Sequence, residues 1–276
     1  MHKRALLVMA ALVAATAITF AGISLLRGMN PGSSEHGGTA SGPSTEKDDD
    51  FGTVAVYTVD DGGGLDPAAT GLTAHVWQVF KRVVTPEFAA SVMSQYRTGD
   101  APKSDTLAYV YQADDPKYWI LAANLATSKD DADLIATLVH EYAHILTLDG
   151  EQLHSHVAQC PTLGLSEGCA DDTSYLWSFQ QRFWAAYEGA PDNENSDADV
   201  AYSFYLAHED DFVSDYAATN VVEDIAESFM TFVLEDEPTG DSVVARKLGF
   251  FWQYPELVTI RERIRDEFRA DLGLAG

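Results

Sequence analysis

The sequence predicts an α+β domain: a small N-terminal sheet with a helix on it, a central helix, and a mostly helical C-terminal part. Three observations predict it. Short β-branched and aromatic runs at 51–59, 106–112 and 118–125 are confined to the first half of the chain. Apolar residues recur at helical spacing over 72–96, 131–148 and most of the chain beyond 166. The 276 residues are 46% apolar with five Trp, twelve Tyr and thirteen Phe, enough to bury a sizeable core.

Residues 1–27 read as a signal anchor or a signal peptide. His2, Lys3 and Arg4 precede 5–26, an uncharged apolar stretch long enough to cross a bilayer, with the basic front on the cytoplasmic side. Ala15-Thr16-Ala17 also fits a small-x-small cleavage site, so anchor and cleaved signal both stand, and both put the body of the protein outside the cytoplasm. Residues 28–50, rich in Gly, Ser, Thr and Pro, read as a flexible linker, because they bury too little apolar area to offset ordering entropy. The folded domain is then 51–276.

Within it, 51–59 reads as a strand, bounded by Gly62-Gly63-Gly64. Residues 72–96 read as a helix broken or bent at Pro86, with His75 an ordinary surface or core histidine. Residues 106–112 and 118–125 form a hairpin about Asp114-Asp115-Pro116, whose edge could pair with an extended peptide. Ser128 caps the helix 131–148, whose buried stripe is Leu134, Ile135, Leu138, Tyr142, Ile145 and Leu146. Cys160 and Cys169, the only cysteines, read as a disulfide worth about 2.5 to 3 kcal/mol in the chain-entropy model. His154 and His156 beside them read as surface histidines. Helices follow at 166–187, 199–207, 221–234, 242–252 and 256–272, the last two separated by Pro255.

A formal charge of -26 repels nucleic acid and anionic lipid, so neither is an expected partner of the folded part, and membrane contact is expected through the N-terminal segment only. The excess serves solubility. The acidic run 192–199 has oxygen ligands for calcium but lacks the central glycine of an EF-hand loop, and reads as a solvated loop. A monomer is assumed.

The chemistry concentrates in His140-Glu141-Tyr142-Ala143-His144. Residues four apart share a helix face, so both imidazoles can reach one ion while Glu141 sits beside it, the H-E-x-x-H pattern of zinc peptidases. Thr147 and Gly150 stand where the extended motif of metzincins needs glycine and a third histidine, which excludes that class. The third ligand therefore lies elsewhere, and two glutamates compete. Glu167, in Leu165-Ser166-Glu167-Gly168-Cys169-Ala170, resembles the Glu-Gly-x-Ala segment of zinc aminopeptidases and bacterial collagenases. Glu223 has a second carboxylate, Glu227, four residues on; one can bind zinc while the other fixes a ligating histidine's tautomer.

Tyr216, seven residues before Glu223, and the Ala226-Glu227 that follows resemble the catalytic segment of the anthrax lethal-factor type of gluzincin. Residues 212–229, Cys160 with Gly168-Cys169, and the Ser174-Tyr175 and Phe183-Trp184 pairs also resemble a family of exported bacterial zinc metallopeptidases, a likeness confined to about 130–233. The resemblance implies a zincin-like fold with Zn(2+) held by His140, His144 and Glu223. It further implies Glu141 as general base, Glu227 behind a ligating histidine, Tyr216 as donor to the oxyanion, and a protein or peptide as substrate. Two readings compete with a peptidase: a surface binding module that keeps the zincin fold without turnover, and a calcium-dependent acidic adhesin.

Overall fold

The computed structural model describes residues 42–154 and 159–273. The chain runs β1 (Ser44–Asp48), β2 (Gly52–Val59), β3 (Leu65–Asp66), α1 (Gly71–Val84), α2 (Pro86–Val92), β4 (Met93–Gly99), β5 (Ala108–Gln112) and β6 (Trp119–Asn124). It continues with α3 (Asp131–Leu148), a short pair β7 (Leu153–His154) and β8 (Cys169–Ala170), and α4 (Tyr175–Phe179), extended by a π turn at Gln180–Trp184. After α5 (Ala198–Ala207) a 3-10 turn, Tyr216–Ala218, leads into α6 (Val221–Leu234), α7 (Val243–Phe251) and α8 (Pro255–Glu267). The architecture is α+β, a small mixed sheet followed by helices.

The sheet has the order β1-β2-β4-β6-β5, with β3 added beside β2. Only β4 and β6 run parallel; the other pairs are antiparallel. One face packs against α1 and α3 in the main core, where Trp77, Phe80, Tyr96 and Leu121 meet Leu134, Ile135 and Leu138. The other face carries a minor core of Phe51, Val54, Val56 and Ala122, with Tyr109 against it. All six residues of β6 are buried, as a strand covered on both faces requires.

Four features differ from the sequence reading. The linker assigned to 28–50 contains β1, which pairs with β2 from Ser44 to Asp48, so the folded part starts earlier. Its turn is closed locally: the Asp48 carboxylate accepts the backbone N–H groups of Asp50 and Phe51, at 3.0 and 2.8 Å, and the Tyr109 hydroxyl. The helix expected over 72–96 stops in α2, and Met93–Gly99 is a strand with neighbours on both sides. Its backbone groups are satisfied by two partner strands, which outweighs a weak helical pattern. Gly99 lets the strands close, since a Cβ there would lie 2.5 Å from that of Phe51. The cap of α3 is Asp130, whose carboxylate accepts from Ala132 and Asp133 N–H, while the expected cap Ser128 is buried and donates to the Asn124 carbonyl at 2.7 Å. The helix expected from 166 begins at Tyr175, after β8.

The membrane-anchored, signal-bearing or secreted reading is corrected as well. Residues 5–26 lie outside the described residues, and among the described residues no helix is long and apolar enough to cross a membrane. The longest, α3, carries Asp131, Asp133 and Glu141. The Cys160–Cys169 disulfide is formed, with Cα atoms 5.5 Å apart. His154 is exposed and pairs with Asp171 at 3.1 Å, whereas His156 lies outside the described residues. His75 pairs with Asp131 at the surface.

Candidate metal centre

Two helices build the site. α3 is buried on nearly all sides, so His140, Glu141 and His144 are held by packing rather than by a loop. α6 packs beside it and starts at Asn220, whose side-chain oxygen accepts from the N–H of Val222 and of Glu223. Asn220 is tied in turn through its amide to the Asn195 carbonyl, at 3.0 Å. The first turn of α6 is thereby fixed, and Glu223 with it.

His140 Nε2 lies 3.0 Å from His144 Nε2 and 3.2 Å from Glu223 Oε2, and His144 Nε2 lies 3.5 Å from the same oxygen. Among the described residues, these three make the group of His, Cys, Asp or Glu side chains whose ligand atoms converge closely enough to hold one ion. The three sides bracket the edge of a tetrahedron with zinc–nitrogen bonds of 2.0–2.1 Å, about 3.3 Å. All three residues are buried, and Glu223 Oε2 has no hydrogen-bond partner. Two imidazole nitrogens and a carboxylate oxygen turned toward one point are a donor set that fits a zinc ion once His140 Nε2 gives up its proton.

No family model, curated protein or solved structure matches the chain.

Of the two rival third ligands, the structure brings Glu223 to the histidines. Glu167 sits in the disulfide loop and accepts from the Ser166 hydroxyl. Glu227, four residues beyond Glu223, is 2% exposed and places Oε1 2.8 Å from His140 Nδ1. A carboxylate can only accept there, so Nδ1 carries a proton and Nε2 is the nitrogen left to face the ligand site. The run 192–199 is spent on local structure: Asp197 caps α5, and Asn195 bonds to the Thr219 carbonyl.

Glu141 is buried, and its Oε2 accepts from the Val110 backbone N–H at 3.0 Å. Asn124 N–H bonds the Leu107 carbonyl and Ala113 N–H the Tyr118 carbonyl, so alternate residues of β5 face β6 while Ala108, Val110 and Gln112 point their backbone outward. Burial pushes the Glu141 carboxyl up to about 7; His140 and His144 pull against that shift and Glu223 adds to it. Burial works against Glu223 too, but the two histidines hold it well below the usual carboxylate range. For His140, burial disfavours the charged ring, yet Glu223 and Glu227 outweigh it and hold its pKa well above the usual value. The Tyr216 ring centroid lies 5.8 Å from that of His140. Burial, then the charges of Glu223, Glu141 and Glu227, push its phenol well up, so it remains a hydrogen-bond donor.

The His140 shift fixes the pH dependence of metal affinity. A metal must displace the proton from His140, while Glu223 is already ionised. Zinc affinity is expected to rise by about tenfold per pH unit for the His140 proton released, and to level off once pH passes the raised His140 value. Chelator-competition titrations across a pH series measure the slope; a flat profile contradicts it.

Proposed function

We propose that the chain is a zinc-dependent peptidase of the gluzincin kind. The observation that carries the reading is the buried triangle of His140, His144 and Glu223, with sides of 3.0 to 3.5 Å and the Glu141 carboxyl one residue away along α3. A zinc ion held there would supply Lewis acidity, lowering the pKa of water and polarising a carbonyl. Glu141 would take a proton from the attacking water and deliver it to the amine nitrogen as the C–N bond breaks, while the water oxygen joins the carbonyl carbon. The Tyr216 hydroxyl would donate to the carbonyl oxygen as it gains charge. Glu227 keeps His140 in the required tautomer. The outward backbone of Ala108 and Gln112, on either side of the Val110 N–H that Glu141 takes up, offers an extended peptide an edge to pair with.

The test begins with metal content. Full-length protein is expected to hold one zinc per chain, and His140→Ala with His144→Ala to lose it. Wild-type protein that stays sub-stoichiometric after zinc loading, or a double variant that keeps its zinc, refutes the reading.

A further inference from the structure

The carboxylate that orients His140 is itself held in place. Glu227 Oε2 accepts from the Ser214 hydroxyl at 2.6 Å, and the same hydroxyl oxygen accepts from the Ala217 backbone N–H at 3.0 Å. Ala217 is the middle residue of the turn Tyr216–Ala218. A serine hydroxyl has one proton, and Ala217 N–H occupies a lone pair, so the proton points at Glu227. Both carboxylate oxygens are then engaged, Oε1 by His140 and Oε2 by Ser214. Since Glu227 is 2% exposed, water does not readily replace a lost partner. Ser214 thus ties the backbone of the Tyr216 turn, through Glu227, to His140.

We propose that Ser214 is a positioning residue for the metal centre: through Glu227 it fixes the tautomer and ring orientation of His140, and so sets the affinity of the site for zinc. The proposal rests on the zinc-peptidase reading above. The hydrogen bonds of the Ser214 hydroxyl go to Glu227 and Ala217 and not to the ligand triangle, so its effect on the metal passes through Glu227. Without the hydroxyl, the Glu227 carboxylate keeps one partner of two and is free to turn about its terminal torsion, taking the His140 ring with it. A role in general packing would weaken the fold and leave the affinity for zinc unchanged.

The experiment is a double-mutant cycle on the full-length protein, with zinc as probe and chelator competition as readout. Ser214→Ala is expected to weaken zinc binding by about tenfold, the low end of the range for loss of a ligand's outer partner, since Ser214 acts one hydrogen bond beyond Glu227. In a Glu227→Ala background the same change should cost less than about threefold, because the path through Glu227 is already gone. Cobalt(II) in place of zinc gives a second readout, as the visible bands of Ser214→Ala should shift from those of the wild type. Unchanged zinc affinity in Ser214→Ala, or an equal loss in both backgrounds, overturns the role of Ser214 alone. Wild-type protein that binds neither zinc nor cobalt overturns the reading of the site itself, a distinct result.

Discussion

Glu141→Gln is expected to lower peptide hydrolysis by about 10²- to 10⁴-fold while zinc stays bound, the span over which a positioned general base acts. Glutamine keeps the shape of the side chain, and its carbonyl oxygen can still accept from Val110 N–H. An amide, however, takes no proton from water at neutral pH. Glu141 is outside the ligand triangle, so metal content should match the wild type. The same group sets the acid limb of the pH profile. A base works only when ionised, and burial lifts Glu141 to about 7 without metal, so activity should be lost with falling pH below that value. A bound dication favours the carboxylate and moves the limb to lower pH. Fluorogenic casein hydrolysis with parallel metal analysis checks both points. A variant within tenfold of the wild type would remove Glu141 as the base. Zinc-loaded protein with no hydrolysis in either form would favour the binding module instead.

Where local periodicity and end signals decide an element, the sequence carried it. α6 runs from Val221 to Leu234 as its apolar spacing predicts, and α3 from Asp131 to Leu148. β4 was not legible, because Met93-Ser94-Gln95-Tyr96 satisfies a helical pattern and only the flanking β2 and β6 make it a strand. β1 was hidden by its polar composition, which suits an exposed edge strand as well as a tether. At the site, His140 and His144 were legible from their spacing, and Glu223 with Glu227 from theirs. That Glu223 rather than Glu167 reaches the histidines is set by how α6 packs on α3, which no local pattern encodes. Asn220 had a signal: an asparagine three residues before a glutamate, at the head of an apolar run, is a capping pattern. Ser214 had none beyond a serine before a turn, since its partner lies 13 residues on.

Lys247→Met is expected to destabilise the fold by about 3–5 kcal/mol, because it strands a buried carboxylate. Lys247 Nζ lies 2.6 Å from Asp224 Oδ2, and neither side chain is exposed. Burial pushes the Asp224 carboxyl up and the Lys247 ammonium down, so each disfavours its own ion and is offset by the other. Trp184 Nε1 donates to the same carboxylate oxygen at 2.7 Å, Ser228 to the other at 3.3 Å, and the Phe212 ring faces the ammonium with its centroid 3.8 Å away. Asp224 follows Glu223 in the first turn of α6, so the pair fastens that turn to α7. Adding Asp224→Asn to Lys247→Met should recover part of the loss, since asparagine removes the orphaned charge and still accepts from Trp184. Urea denaturation of both variants tests this: a single variant costing under 1 kcal/mol, or a double variant no more stable than the single, would show that the ion pair does not hold α6.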